Sequence, residues 1–159
     1  MENITIARIV HIIAVILWIG GVSMVTTVLI PAIKKIKSKE EQIKTFETIE
    51  GKFAIQAKIT TLLTGLSGFY MLYEMNAWSR YLDYRFWWLH SMTLVWIIFS
   101  LILYILEPYI LHKVFAKYAN KAPDKTFRIM HQLHWVLLVI SLITTAGAVA
   151  GSHGWFWVK

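Results

Sequence analysis

Apolar residues along this chain gather into four long stretches, and charged residues separate the stretches from one another. The stretches cover 4–33, 53–75, 86–111 and 127–151, and each reaches the roughly 20 residues with which a helix crosses a bilayer. A helix satisfies its own backbone hydrogen bonds, as any segment inside lipid must. The pattern therefore predicts an all-α integral membrane protein whose single domain, 1–159, is a four-helix up-down bundle.

Composition agrees with a membrane protein and removes several kinds of chemistry. Hydrophobic residues make up 57% of the chain and charged residues 16%, a balance that is typical of helical membrane proteins. Cysteine is absent. Its absence excludes disulfides, thiolate-bound zinc, iron–sulfur clusters and a cysteine nucleophile.

The basic residues are distributed unequally between the two sides of the predicted membrane. Twelve of the 16 Lys and Arg residues flank or enter the inner ends of the spans: Lys34, Lys35, Lys37, Lys39, Lys44, Lys52, Lys58, Lys113, Lys117, Lys121, Lys125 and Arg128. The other four are Arg8, Arg80, Arg85 and Lys159. Because Lys and Arg concentrate in cytoplasmic loops, we expect a multi-pass inner-membrane protein with both termini on the outer, periplasmic side. Topology and anionic lipid then account for the net charge of +7, and no nucleic-acid partner is expected.

Three further patterns predict how the chain is arranged around the spans. The segment 34–52 mixes glutamates with lysines and predicts a helical extension or an interfacial helix. Small residues predict close approach of helix backbones, and they are Gly20, Gly21, Thr61, Thr64, Gly65, Gly68, Gly147 and Gly151. Tryptophans near the outer span ends predict an aromatic belt, formed by Trp78, Trp87, Trp88, Trp155 and Trp157.

Histidines inside the spans are the main candidates for chemistry. An ionisable residue at membrane depth is costly and is usually functional, and histidine is a common ligand of haem iron. His11 and His90 lie at similar depth in the outer half, on the first and third spans, which run in the same direction. Two imidazoles facing each other could clamp one haem b iron, so both are predicted metal ligands. The alternative is a neutral histidine bonded to a neighbouring carbonyl or hydroxyl group.

Trp18 lies seven residues after His11 and therefore on the same helix face. Its ring would stack along a cofactor or would pack in the core, and core packing is the preferred interpretation.

The inner half carries a second group of polar residues: His131, His134, Lys58 and Arg128. His134 is a candidate metal ligand for a second haem, although no histidine on another span matches its depth. The group could instead bind propionates, a quinone headgroup or a lipid phosphate, or its cations could snorkel to the headgroups. His153, beyond the last span, is an alternative outer ligand.

Several of these residues resemble a known family. The run His11-Ile-Ile-Ala-Val-Ile-Leu-Trp18-Ile-Gly20-Gly21 is similar to the first-helix motif of HemJ-type protoporphyrinogen oxidases and to the CopD-type copper-resistance membrane domain. Trp88-Leu89-His90 resembles the W-L-H of a later HemJ helix, and Phe127-Arg128 resembles its F-Y-R stretch. The resemblance implies a b-type haem with an essential histidine at His11. The chain differs from that family at Met92, where the family has lysine, and over 129–132, where the family has N-E-x-P.

The favoured function is that of a haem-b protein carrying electrons, between a quinone and an outer-side redox partner. One alternative is a HemJ-like oxidase that removes hydrogen from a porphyrinogen, with Lys58 and Arg128 binding its carboxylates. Another is a CopD-like copper-handling protein or a structural subunit of a membrane complex. A homo-oligomer is compatible with each of these functions.

Overall fold

The computed structural model of the protein describes residues 2–155, apart from the side chains of residues 110–112, 114, 116 and 120, and this part of the chain is helical without strands. The α-helices are α1 Glu2–Met24, α2 Ile30–Ile33, α3 Lys39–Glu74, α4 Trp87–Leu101, α5 His112–Lys121 and α6 Pro123–Ser152. Wider π-helical turns over Val25–Leu29 and Ile102–Leu111 join α1 to α2 and α4 to α5. Two 3-10 segments, Trp78–Leu82 and Tyr84–Phe86, precede α4.

Helix α3 begins at Lys39, so most of the charged segment 34–52 is a helical extension of the second predicted span. The Ser38 hydroxyl caps the helix by accepting from the amide of Glu41, which satisfies one of the free N–H groups of the first turn. Glu40 and Glu41 in that turn also interact favourably with the positive end of the helix dipole. The predicted extension is therefore confirmed, and no interfacial helix separates it from the second span.

Both π-helical turns are associated with a proline. Pro31 follows the first turn and Pro108 lies inside the second. Proline has no N–H to donate and its ring crowds the carbonyl four residues back. The amide of Ile30 accordingly donates to the carbonyl of Val25, five residues back, which is the π-helical spacing. The helix continues past each proline by widening.

Consecutive long helices pack antiparallel. Near the outer end of α1, His11 lies against Gly68 of α3, and further along α1, Gly21 lies against Phe53, which precedes Gly68 in α3. The same reversal relates α4 to α6 and α3 to α4, and α1 also contacts α6. Since each pair runs in opposite directions, the ends of α1, α3, α4 and α6 that the sequence predicts as inner lie at the same end of the molecule.

Two apolar clusters hold these helices together. One lies at mid-length and consists of Trp18, Ile19, Val22, Val95, Phe99 and Leu138. The other lies at the inner end and consists of Val25, Leu29, Ile30, Ile33, Phe46 and Phe127, with Phe115 packed against it. In the second cluster the rings of Phe46 and Phe115 are 5.3 Å apart and those of Phe46 and Phe127 are 5.6 Å apart. The extension of α3 therefore shares a core with α5 and the start of α6.

Three helical stretches are long and apolar enough to cross a membrane: Glu2–Ile33, Tyr84–Tyr109 and Pro123–Ser152. They coincide with the predicted first, third and fourth spans. Helix α3, which contains the predicted second span 53–75, is not among them because Gln56, Lys58 and a series of Thr and Ser residues lower its hydropathy. Large apolar side chains cover the outside of the three stretches, as in Ile16, which is 63% exposed, and this surface is suited to lipid.

Four of the predicted small positions accommodate aromatic rings. A Cβ atom would overlap the ring in each of the pairs Gly21–Phe53, Gly65–Trp96, Gly147–Trp87 and Gly151–Trp88. Trp88 is accordingly buried, and Trp87 packs on α6 in the same way. Trp78 and Trp155 are exposed, and Trp157 lies outside the described residues.

Replacing Gly65 with alanine is expected to lower the free energy of unfolding by about 1–3 kcal/mol, the usual cost of overpacking. The new methyl group would displace the Trp96 indole, whose N–H donates to the carbonyl of Thr61 over 2.9 Å. Gly20→Ala is the matched control, because nothing lies within 4 Å of its added Cβ. Unfolding in detergent, followed by circular dichroism, should show Gly20→Ala at or above wild-type stability. Equal stability of the two variants would contradict the packing described.

Candidate functional site

His11 is fixed by α3 through one ring nitrogen. Its Nδ1 lies 3.0 Å from the carbonyl oxygen of Thr64 and 3.1 Å from the hydroxyl of Ser67. A carbonyl only accepts, so Nδ1 carries the proton and Nε2 carries the lone pair. Gly68 permits this contact, because a Cβ there would come within 3.2 Å of the His11 ring. Metal-ligating histidines are commonly oriented in this way, by a hydrogen bond from the other nitrogen to a carbonyl.

His134 has the same arrangement within α6. Its Nδ1 lies 2.9 Å from the carbonyl oxygen of Met130, one turn earlier. Its Nε2 therefore carries the lone pair, and no hydrogen bond to that atom is formed within the described residues. His153, at the end of α6, likewise places Nδ1 on the carbonyl of Val149 at 2.8 Å, although its side chain is exposed.

His90 differs because both of its nitrogens contact backbone carbonyls. Nε2 lies 3.0 Å from the carbonyl oxygen of Tyr81 and Nδ1 lies 3.3 Å from that of Phe86. A neutral imidazole has one N–H, so it donates to one carbonyl and turns its lone pair toward the other. The segment that supplies these carbonyls is itself ordered by Arg85, whose hydrogen bonds hold the pKa of the Asp83 carboxyl below its usual range. Neither nitrogen of His90 is open to a metal in this conformation.

The two histidines that were predicted to face each other have hydrogen-bond partners in different parts of the chain. His11 contacts α3, and His90 contacts the segment that precedes its own helix. Within the described residues, no group of three His, Asp or Glu side chains lies close enough to hold a metal ion.

Lys58 forms an ion pair with Glu107 across α3 and the π-helical turn. The ammonium and carboxylate are 2.7 Å apart, with side chains 31% and 23% exposed. The hydroxyl of Tyr104 donates to the backbone carbonyl of Lys58 over 2.6 Å. Lys58 is therefore neutralised by Glu107, while Arg128, the other predicted carboxylate-binding cation, is exposed on α6.

Trp18 is buried in the mid-length cluster, as the packing interpretation predicts. Its ring meets Phe99 edge to face with centroids 4.8 Å apart. Its indole N–H is buried without a hydrogen-bond partner within the described residues.

These residues fit one part of the predicted haem site. The hydrogen bonds of His11 leave its Nε2 open to a metal, whereas both ring nitrogens of His90 contact backbone carbonyls. The cavity between α4 and α6, lined by Val95, Ile98, Phe99, Leu137 and Ile140, measures about 10 Å³. Ligand pockets usually measure about 300–1,000 Å³, so this cavity does not hold a porphyrin.

Comparison with known proteins supplies no relative: no family model, no curated protein and no solved structure matches this chain. The resemblance to HemJ-type and CopD-type proteins accordingly stays a prediction.

Several residues that determine these contacts were missed in the sequence. Glu107 was not recognised as the partner of Lys58; matching opposite charges by depth would have found the pair. Thr64 was assigned to helix packing and Ser67 was not singled out, although hydroxyl groups on a helix opposite His11 are natural partners for it. No sequence signal shows that Phe86 and Tyr81 present their carbonyls to His90.

Proposed function

We propose that this protein is a b-type cytochrome of the inner membrane, with four spans and both termini on the periplasmic side. His11 is its axial haem ligand, and His134 is the candidate ligand of a second haem. The protein passes electrons between a quinone in the bilayer and an outer-side partner. The observation that carries the proposal is the hydrogen bonding of His11, which leaves Nε2 as a lone-pair donor inside a membrane-spanning helix.

The four-span arrangement requires that α3 crosses the bilayer despite its low hydropathy. Three of its hydroxyl groups are compatible with lipid because they donate within the helix: Thr60 to the carbonyl of Gln56, Thr64 to that of Thr60 and Ser67 to that of Leu63. Backbone and side-chain polar groups that are satisfied inside a helix cost little in a bilayer. The unequal distribution of Lys and Arg supports the outer location of both termini.

When bound, haem supplies a one-electron iron couple whose potential depends on its axial ligand and on the dielectric around it. The role of the protein is to hold the imidazole of His11 in position and to exclude water from it. The carbonyl of Thr64 fixes the imidazole ring of His11, and the hydrogen bond makes Nε2 more basic. Lipid-facing residues of α1 such as Ile9 and Ile13 provide a low-dielectric surrounding.

The oxidase alternative is less well supported, because it needs cations that are free to bind porphyrinogen carboxylates and Lys58 is paired with Glu107. Complementation of a strain that lacks porphyrinogen oxidation would separate the oxidase from the cytochrome.

The proposal predicts that protein purified in detergent from haem-replete cells carries about one b haem per chain, held by His11. A reduced-minus-oxidised absorption spectrum should show a Soret band and a sharp α band, and the pyridine haemochrome assay should give the stoichiometry. Two haems per chain would assign a ligand role to His134 as well. Protein without haem would overturn the proposal, and metal analysis for copper would then be the next measurement.

A further inference from the structure

Lys34 and His131 form a hydrogen-bonded pair where α2 ends beside α6. The ammonium nitrogen of Lys34 is 3.2 Å from Nδ1 of His131, and Nε2 of His131 is 2.9 Å from the carbonyl oxygen of Thr26. Both ring nitrogens of His131 therefore contact polar groups of the chain beside α6. The imidazole therefore acts as a bridge that holds the lysine against the end of α1.

The Thr26 carbonyl is available to His131 because of Pro31. In an α-helix this carbonyl would accept from the amide of Ile30, which instead donates to Val25. At the π-helical spacing it would accept from Pro31, which has no N–H. The proline thus leaves one carbonyl without a helical donor, and His131 satisfies it from the neighbouring helix. Widened turns of this kind are often found at functional sites.

The Lys34 charge has no acidic partner in the part of the chain that the structure describes. The ion pairs there join Lys39 to Asp124, Lys58 to Glu107 and Arg85 to Asp83. Arg128 precedes His131 by three residues, so it lies on the same face of α6, and it is exposed. Two cations thus flank His131 without a carboxylate between them.

Trp135 completes the cluster on the membrane side. Its indole nitrogen is 3.1 Å from Nε2 of His131, and its side chain is 44% exposed. The indole N–H points at this nitrogen, which holds the ring of Trp135 beside His131. Along α6 the order is Arg128, His131, Trp135: cation first, aromatic ring toward the apolar span. A lipid presents its phosphate at the membrane surface and its glycerol and ester groups deeper, so the cation would meet the phosphate and the aromatic ring would meet the glycerol region.

We propose that Lys34, Arg128 and Trp135 form a binding site for the phosphate headgroup of an anionic lipid in the inner leaflet. The two cations contact the phosphate, and the exposed ring of Trp135 lies beside the glycerol and ester groups. The inference rests on the membrane topology given under the proposed function and is independent of haem.

Native mass spectrometry of the detergent-purified protein tests the site with phosphatidylglycerol and with phosphatidylcholine. We expect the wild type to retain one phosphatidylglycerol with an affinity about tenfold higher than that for phosphatidylcholine. Lys34→Gln combined with Arg128→Gln should remove this preference. The control variant, Lys37→Gln combined with Lys44→Gln, removes the same charge from exposed positions on the same side. It should change the preference for phosphatidylglycerol by no more than about twofold.

A further variant and a competition experiment keep the test decisive. Lys34→Arg with Arg128→Lys retains both charges and should retain the lipid, which separates loss of binding from loss of folding. If both double glutamine variants lost the preference for phosphatidylglycerol to the same extent, the proposed site would be overturned. Displacement of the lipid by millimolar inorganic phosphate would assign the cluster to free phosphate and would also overturn it. Because lipid retention is scored whatever the haem content, a haem-free protein that still retains the lipid would reject only the cytochrome proposal.

Discussion

Purified His11→Ala protein is expected to lack the Soret and α bands of the wild type, with haem content falling at least about tenfold, because the iron loses its axial ligand. Among the described histidines, His11 and His134 place Nδ1 on a carbonyl and leave Nε2 unbonded within a helix that is long and apolar enough to cross a membrane. Absorption spectra and pyridine haemochrome assays of purified wild-type and variant protein measure the effect. His11→Gly supplemented with imidazole should recover part of the absorption, since the free ligand can occupy the vacated position.

His90→Ala is the matched control for His11. Its two nitrogens contact the carbonyls of Tyr81 and Phe86, so its removal should leave haem content within about twofold of the wild type. His134→Ala should spare the haem held by His11 and remove only a second one, if two are present. Loss of haem in His90→Ala with retention in His11→Ala would make His90 the haem ligand instead of His11. It would also indicate that the segment before α4 moves away and frees the nitrogens of His90.

Lys58→Met is expected to lower the free energy of unfolding by about 2–3 kcal/mol, the largest stability effect that we predict for a single substitution. Removing one member of a buried ion pair leaves the other charge without its partner in a low-dielectric surrounding, which costs about 3–5 kcal/mol when burial is complete. The Lys58 and Glu107 side chains are 31% and 23% exposed, so the lower value applies. Unfolding in detergent mixtures, followed by circular dichroism, measures the change.

Two comparisons show whether this effect belongs to the ion pair. The double variant Lys58→Met/Glu107→Leu replaces both charges by apolar groups and should lie within about 1 kcal/mol of the wild type. Lys39→Gln breaks the pair between Lys39 and Asp124, in which the two side chains are 47% and 82% exposed. It should lower the free energy of unfolding by at most about 1 kcal/mol. If the double variant is as unstable as Lys58→Met, the lysine acts through packing and not through its charge.

The helical positions of the chain follow closely from its hydrophobic pattern. Three predicted spans coincide with helices that are long and apolar enough to cross a membrane, because a long apolar run favours one helical segment in any tertiary setting. The extension of α3 was predictable from the mixture of Glu and Lys in 34–52, and its cap is visible as Ser38 followed by Glu40 and Glu41. The π-helical turns were not predicted, although Pro31 and Pro108 mark them.

The candidate site was predicted less completely, because depth along a span does not define direction around the helix. His11 and His90 lie at similar predicted depth, yet the first turns to α3 and the second to the segment before α4. Rotation of a helix about its axis is decided by how its whole surface packs. In this protein the rotation of the helices depends in part on aromatic rings that pack against glycines: Trp88 packs on Gly151 and Phe53 on Gly21.

The sequence by itself determined that this is an all-helical protein with apolar spans, that most of its basic residues lie at one end of them, and that histidine is its candidate for metal chemistry. These properties depend on residue type and on position along one helix, which the chain order specifies. Only the tertiary structure decided that Lys58 is neutralised by Glu107, that His131 bridges Thr26 and Lys34, and that His11 presents an unbonded Nε2. Each of these depends on contacts between residues at least 49 positions apart, and such contacts form only when the helices pack.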